Sequence, residues 1–492
     1  MFDIGVLEIM LCIFGVGMGL IFGALPGMTG TMAVAVFLPL TYAYDMSAAM
    51  YLLLGLYVGG ISGGLIPAIL INIPGTPSSI TTCFDGYPMA KKGQGEKALR
   101  IGIVASLFGG IFSLIILALF TPILAKVAIN FGAVEKFLII LFALTVIAAL
   151  SKGNMLRGLF AGMLGVLVSL VGQFGVNNKL RMVPDFLRGD LMDGFSLLPV
   201  IIGLFAIAQM FEEAELGMKQ AKFEEQGAQT EKFSMKIFKG QSINVIRSAI
   251  IGTFMGILPG VGGSAASILS YSQAKSFAKH PEKFGHGAEE GLIASETANN
   301  GLTGGALIPL LSLGIPGDST TAVLIGAFML QGISVGPLFI TENGKTWNTI
   351  LFALLLANIV MFLIMFFAIK YISNIIKIPK SRLYPAILVL AVIGAYSTNN
   401  GVMFDVWAML IFGVVGYVFG KIGLPTASFL IGIILGGDLE NYFIQAIQGS
   451  GGSLSVFVTK GPIAWIIWLM IIASVAYALI DNAKSAKAAR IK

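Results

Sequence analysis

The sequence predicts an all-α polytopic membrane protein with about 10–12 transmembrane helices, arranged as two inverted structural repeats with re-entrant helical hairpins. Three observations carry this prediction. Of 492 residues, 56% are hydrophobic and only 11% charged, where a soluble domain carries about 25% charged residues. Apolar stretches of membrane-crossing length recur along most of the chain, which excludes a soluble domain on a single anchor. A Pro-Gly motif pattern also occurs twice, in the same order, in the two halves.

The apolar segments fall near residues 4–25, 30–44, 49–73, 101–129, 134–150, 156–175 and 195–211, then 243–258, 302–315, 320–340, 348–373, 383–398, 402–420, 425–437 and 462–480. Several are too short to span as helices at about 1.5 Å per residue, so full spans mix with half-spans. The N-terminal segment lacks a basic leader and carries Asp3 and Glu8. It reads as the first membrane helix rather than a signal peptide. The mixed-charge stretch 212–242, from Glu212 and Glu213 to Lys239, reads as a solvated linker between a first repeat (1–211) and a second (243–492). Lysine and arginine cluster there, around Lys91, Lys92, Lys97 and Arg100, at Lys152 and Arg157, at Lys377, Lys380 and Arg382, and in the tail from Lys484 to Lys492. These places read as cytoplasmic and the N-terminus as external.

The net charge of +6 is explained by that bias, and nucleic acid is not an expected partner. Two cysteines, Cys12 and Cys83, and two histidines, His280 and His286, are too few for a disulfide framework and match no zinc spacing. Catalysis needs a nucleophile–base pair or a metal cluster, and the sequence offers neither. No enzyme activity, metal or cofactor is expected.

The duplication is the most informative feature. Residues 23–27 read Gly-Ala-Leu-Pro-Gly and 256–260 read Gly-Ile-Leu-Pro-Gly. Further on, GGLIPAILINIPGTPSS (63–79) matches GGALIPLLSLGIPGDSTT (304–321) with one inserted residue, aligning Pro67 with Pro309, Pro74 with Pro316 and Gly75 with Gly317. One copy would enter from outside and the other from the cytoplasmic loop, which makes the repeats inverted. Leu65–Ile73 and Ala306–Ile315 would be helices of about 14 and 15 Å, each half a hydrocarbon core. Proline breaks each helix, and free backbone groups at that depth are tolerated only inside protein or beside a polar cavity. Both segments therefore read as re-entrant hairpins with tips near the midplane.

Small hydroxyl residues come after both breaks: Thr76, Ser78, Ser79, Thr81 and Thr82 in one copy, Ser319, Thr320 and Thr321 in the other. A returning helix offers unpaired N–H groups and a positive dipole end, which suit an anion, although Gly, Ser and Thr also serve close helix packing. Thr29, Asn72, Gly75, Thr76, Ser78, Ser79, Gly317, Ser319 and Thr320 are the expected substrate-binding residues. Asp318, Glu296, Asn299 and Asn300 are the expected coupling-ion residues, since polar groups beside apolar spans are functional candidates. Alternatives stand beside each: Asp318 suits an N-cap as well as an ion site, Asn299 and Asn300 suit capping, and Asn72 suits packing. Asp85, opening Asp-Gly-Tyr-Pro, reads as a turn. Asn399, Asn400 and Asp405 read as a turn and helix start, and Glu440 as a boundary residue or subunit contact.

At these residues the sequence resembles the large membrane subunit of the tripartite tricarboxylate transporters. The resemblance is carried by GALPGMTGTMAVAVFLPLTY (23–42), GGLIPAILINIPGTPSSITTCFDGYPMAKKG (63–93), SETANNGLTGGALIPLLSLGIPGDSTTAVLIGAFMLQGISVGPL (295–338) and GAYSTNNGVMFDV (394–406). GLFAI (203–207), FGVVGYVFGKIGLP (412–425) and LGGDLE (435–440) add to it. It implies uptake of organic carboxylates across the bacterial inner membrane, with a periplasmic substrate-binding protein, a small four-helix membrane subunit and a cation gradient of Na⁺ or H⁺. The competing readings are a permease that needs no binding protein and an anion channel. Two stretches depart from the family pattern. Segment 172–190 lacks an expected Gly-x-Asp, and the second break reads Pro-Gly-Asp where a small neutral residue is usual.

Overall fold

The computed structural model describes residues 5–149, 155–173, 179–217, 231–260, 262–372, 378–398 and 401–489. Asp3, Lys152, Lys377, Asn399, Asn400 and the middle of the 212–242 stretch lie outside them. The chain is helical almost throughout. The helices are α1 (Val6–Ala24), α2 (Gly30–Phe37), α3 (Met46–Gly63), α4 (Leu65–Ile71), α5 (Ile80–Met89), α6 (Gly95–Ala128), α7 (Ala133–Ala149), α8 (Met155–Ser169) and α9 (Leu197–Glu215). The second half holds α10 (Ser242–Ile257), α11 (Gly262–Phe277), α12 (Glu289–Leu313), α13 (Ser319–Leu330), α14 (Gly344–Phe367), α15 (Lys380–Ser397), α16 (Met403–Ile422), α17 (Thr426–Gly449) and α18 (Pro462–Ala489). Two two-residue strands, β1 (Gly172–Gln173) and β2 (Leu180–Arg181), form a small antiparallel ladder.

Among the described residues, seven helices are long and apolar enough to cross a membrane, and five more are apolar but shorter. Large apolar side chains are exposed along the outer faces, as at Ile115, Leu119 and Ile123 on α6 and Leu363 and Phe367 on α14. In water such faces would be unfavourable; in hydrocarbon they are the expected surface. The protein is a multi-pass membrane protein.

The chain packs as two compact units, each discontinuous in sequence: residues Met1–Ile123 with Gln209–Gly394, and Leu124–Ala208 with Ala395–Lys492. In the second unit, α8 and α17 meet through glycines. A Cβ on Gly165 would lie 3.0 Å from Gly432 Cα, and one on Gly432 3.0 Å from the Val166 nitrogen. Val134, Leu138, Ala446, Phe457, Ala464, Ile467 and Ile471 form a core between α7, α17 and α18. Arg181 of β2 grips Glu440 of α17 with two parallel bonds of 2.7 and 2.9 Å. Segment 172–190 is thus tied to the Leu-Gly-Gly-Asp-Leu-Glu stretch of α17. That bond holds the Arg181 guanidinium above its ordinary range.

In the first unit, glycine again sets the packing distance. Along α1, Gly15, Gly19 and Gly23 meet the backbone of Leu52, Leu56 and Gly60 in turn, so α1 and α3 run parallel. Gly30 of α2 meets Gly60, while the Phe37 ring lies between Phe14 and Phe22, 5.7 and 6.1 Å away. Helix α2 therefore runs back along α1. The same arrangement recurs in the second half. Asn244 donates to the Glu290 carbonyl, Gly252 meets Ala298, and Gly256 meets Leu302 and Ala306, so α10 and α12 are parallel. Helix α11 returns, with Gly263 beside Asn299 and Ser270 Oγ donating to the Ala294 carbonyl. The tight hairpins α1–α2 and α10–α11 turn at the Leu-Pro-Gly motifs.

The Ile-Pro-Gly segments do something else, and here the hairpin expectation is corrected. Gly64 meets Thr76 and Ser79, while Ile69 meets Gly86. Helix α5 thus advances in the same direction as α4. Residues 72–76 double back along α4 to the level of Gly64, where Gly75 N donates to the Gly64 carbonyl, and the helix then resumes. In the second half, Gly317 returns to the level of Ala306, and Gly314 meets Val335 beyond the end of α13. These are offset breaks in a run that keeps its direction. The helices before them are also not half-spans: Met46–Ile71 is a 26-residue run and α12 has 25 residues, about 37 Å at 1.5 Å per residue. A Pro-Gly pair ends a helix but leaves the exit direction to the packing around it.

Candidate functional site

Both breaks have the same backbone. The residue after each helix is left-handed, Asn72 at φ 57° and Gly314 at φ 75°. The carbonyls of Pro67 and Pro309 accept from Ile73 and Ile315, each at 3.3 Å. This is a left-handed helix stop, and glycine or asparagine adopts it most readily. The two Pro-Gly glycines fill equivalent places. A Cβ on Gly75 would lie 2.8 Å from both Gly64 Cα and Pro67 Cγ. One on Gly317 would lie 2.5 Å from Ala306 Cα and from the Gly256 carbonyl. The Gly317 carbonyl also accepts from Gly260 N at 2.9 Å, joining the second break to its own Leu-Pro-Gly turn.

Each break faces the hairpin of the other half. Thr31 Oγ1, near the start of α2, bonds Thr320 Oγ1 at the start of α13 at 2.7 Å. Gly263, at the start of α11, sits against the first break. A Cβ there would lie 3.2 Å from Ser78 Oγ and 3.4 Å from Asn299 Oδ1. Two pairs of helix N-termini result: α2 with α13, and α11 with the Pro77–Ser79 turn that leads into α5.

The chemistry of the pairs differs. At the first break, Thr76 Oγ1 bonds Ser78 Oγ at 3.0 Å and Ser79 Oγ at 2.9 Å, and all three residues are buried. Asn299 is buried nearby, its amide close to the Glu296 carboxylate. At the second break, Asp318 caps α13. It accepts from Thr321 N at 2.7 Å, and its own N–H donates to Thr321 Oγ1 at 2.9 Å. Its other oxygen accepts from the Tyr57 hydroxyl at 2.8 Å. Tyr57 stands ten residues before Pro67 and Asn299 ten residues before Pro309. Equivalent positions of α3 and α12 thus serve opposite breaks.

The other sequence-predicted residues fall in three places. Glu296 and Asn300 belong to a separate buried network. Thr82 Oγ1 and Ser106 Oγ donate to the two Glu296 oxygens. Asn300 Nδ2 donates to Ser106 Oγ at 2.8 Å, and Ser62 Oγ donates to Asn300 Oδ1 at 2.6 Å. This network fastens α3, α5, α6 and α12 at one level, and no lysine or arginine among the described residues faces Glu296 in it. Through these pairs α3 and α12 run antiparallel, Ser62 beside Asn300 and Tyr57 toward the Asp318 break. Thr29 caps α2, accepting from Met32 N at 3.1 Å. Asn72 is exposed, and Ser319 opens α13 half-buried. The predicted ion residues are therefore distributed: Asp318 at one break, Asn299 at the other, and Glu296 with Asn300 between the arms.

Two further readings are corrected. Asp85 is not in a turn. It sits within α5 and accepts from the N–H groups of Gly285, Gly287 and Ala288 at 2.8–2.9 Å, anchoring the loop before α12. Nor is Glu213 solvated, since α9 runs on through it. It is buried against Lys380 at 2.6 Å, and the pair abuts Gly27 at the first Leu-Pro-Gly turn. Charge in a polar stretch does not reveal which residue faces inward. Sequence reasoning does not single out Tyr57, Thr31 or Gly263, although counting back from the aligned prolines reaches Tyr57.

No three His, Cys, Asp or Glu side chains converge to hold a metal among the described residues. No solved structure matches the chain. It is 36% identical over 484 residues to an uncharacterized 52.8 kDa protein in the TAR-I ttuC′ 3′ region of Agrobacterium vitis, covering 97% of this chain and 94% of that one. An uncharacterized protein in the TAR-II ttuC′ 3′ region of the same organism is 41% identical over 213 residues, 43% of this chain and 87% of that one. Residues 9–431 match the tripartite tricarboxylate transporter TctA family, and the chain, a membrane transporter, belongs to it.

Proposed function

We propose that the protein takes up small organic carboxylates of the tri- or dicarboxylate class by cation-coupled secondary transport. It acts in the bacterial inner membrane as the large membrane subunit of a binding-protein-dependent system, with the small four-helix subunit beside it. The observation that carries this reading is the pair of crossed breaks with one backbone and opposite chemistry. The first pair of N-termini offers the hydroxyls of Thr76, Ser78 and Ser79 and two positive helix ends, and none of these three side chains is a carboxylate. That arrangement favours an anion. The second pair holds Asp318, whose charge suits Na⁺ or a proton. Glu296, buried and accepting from the Thr82 and Ser106 hydroxyls, is a second acid available for coupling. The antiparallel arms α3 and α12 accord with repeats inverted in the membrane.

The test is reconstitution of the two membrane subunits in liposomes under an imposed Na⁺ or H⁺ gradient, with and without the binding protein. Accumulation of labelled citrate or succinate against its gradient, only when the binding protein is present, is expected. Equal rates without that protein would refute the dependence, and flux that never exceeds equilibrium would favour a channel.

A further inference from the structure

A cavity of about 620 Å³ lies between α5 and α11, walled by Thr81, Phe84, Ile268, Tyr271, Lys275 and Pro281. Both helices begin at the first break. Thr81 comes three residues after Ser78 and Ile268 five after Gly263, about one turn along each helix, so the cavity continues the seam where Ser78 meets Gly263. At its other end Pro281 belongs to the loop before α12. Lys92 Nζ bonds the His286 carbonyl of that loop at 2.7 Å, and Lys97 bonds Glu289 at 2.6 Å. This lysine distribution favours the cytoplasmic side for that end.

The lining has one sign. Lys275 is its one charged residue, it is exposed, and it has no ion-pair partner among the described residues. Thr81, Tyr271, Ser272 and Ser276 add hydroxyls, and Thr81 Oγ1 is buried without a hydrogen-bond partner among the described residues. Asp85, next to Phe84 in α5, anchors the loop before α12, where one of its oxygens accepts from three backbone N–H groups. Phe84 and Tyr271, edge to face at 5.4 Å, form an apolar wall. The second break has no such lining, since α2 and the turn after it, residues 30–43, contain no lysine or arginine.

We propose that this cavity is a cytoplasmic vestibule for the carboxylate, with Lys275 drawing the anion between the first break and the inner face. The proposal rests on the carboxylate reading above. A site walled on one side by low-dielectric protein focuses the field of a single cation, which raises the local concentration of anions. Lys275 acts on the passing substrate and is distinct from the residues of the break.

Cysteine reactivity tests the vestibule without transport. Ser272→Cys is introduced into the full chain, and its modification by an anionic and by a cationic methanethiosulfonate is timed in detergent. Cys12 and Cys83 are buried, so the parent chain supplies the background. The anionic reagent is expected to react faster than the cationic one, and Lys275→Gln to reverse that order. Millimolar citrate or succinate is expected to slow the reaction several-fold in the Lys275 protein and not in the Lys275→Gln protein. Reagent rates indifferent to Lys275 would overturn the proposal. So would an intact charge preference without protection by either acid, which would leave a cationic patch. If citrate and succinate protect here but no labelled acid is ever accumulated in liposomes, the transport reading fails while the binding cavity stands.

Discussion

The two Ile-Pro-Gly breaks share a backbone but not a chemistry. Residues 72–76 and 314–318 have the same left-handed stop, the same proline-carbonyl bond and the same close-packed glycine. The side chains beyond the glycine differ: Thr76 among hydroxyls in one, the Asp318 carboxylate with Tyr57 in the other. The comparison separates what builds a break from what uses it. Proline and glycine set the path, because they fix where the chain leaves the helix and how near it passes to its neighbours. The first side chain after the glycine sets the charge, and duplication allows it to change in one copy without disturbing the path.

The strongest way to break this comparison is at the shared glycines. Gly317→Val places carbon against the Ala306 backbone and the Gly256 carbonyl, and Gly75→Val against Gly64. Neither wall is a flexible side chain, so the cost should reach or exceed the about 1–3 kcal/mol typical of overpacking. Both variants should lose most of their folded, monodisperse yield in fluorescence-detected size exclusion. Gly17→Ala, with nothing within 4 Å, should keep it. Collapse of only one of the two would show that the breaks are not equivalent.

A change confined to chemistry comes next. Asp318→Asn keeps the cap, since Asn caps about as well as Asp, and removes the negative charge. Folded yield should stay near normal while cation-driven accumulation falls about ten-fold, equivalent to about 1.4 kcal/mol. Thr76→Ala should weaken substrate half-saturation and leave the cation dependence unmoved. Accumulation measured against external cation at matched expression distinguishes them. Unchanged cation dependence in Asp318→Asn would leave Asp318 as a helix cap alone.

The arms sharpen the comparison further. Tyr57→Phe removes one donor to Asp318, and a hydrogen bond is worth about 1 kcal/mol. Half-saturation for the cation should therefore shift by roughly five-fold. Asn299→Leu should instead shift half-saturation for the carboxylate. Shifts in the same constant for both would end the assignment of each arm to the opposite break.

The smallest effect lies in the other unit. Arg181→Gln breaks the pair with Glu440, whose side chains are 31% and 25% exposed. A partly solvated pair of this kind contributes about 0–1 kcal/mol. The variant should transport normally and melt within a few degrees of the parent in a thiol-reactive dye assay. A lost transport rate there would mean that unit does more than support its own core.

Much of the fold is legible in the sequence. The apolar runs give the membrane class, and the aligned prolines give both breaks and their glycines. Asp318 reads as a cap because aspartate ahead of an apolar run accepts from the first-turn N–H groups. The exit direction of each break is not legible, because Pro-Gly fits a reversal and an offset continuation equally well. Nor is the partnership of Tyr57 with Asp318, 261 residues apart, or the inward turn of Glu213 toward Lys380.

The sequence by itself determined most of the apolar helices, the two breaks that follow Pro67 and Pro309, and the neutral–acidic contrast between Thr76 and Asp318. These are local properties: side-chain apolarity, ring closure at proline, and the φ range open to glycine. Only the tertiary structure decided which break faces which hairpin. That choice depends on contacts between the halves, Thr31 with Thr320 and Gly263 with Ser78. Such close approach is a property of two surfaces, and no single stretch of sequence contains both.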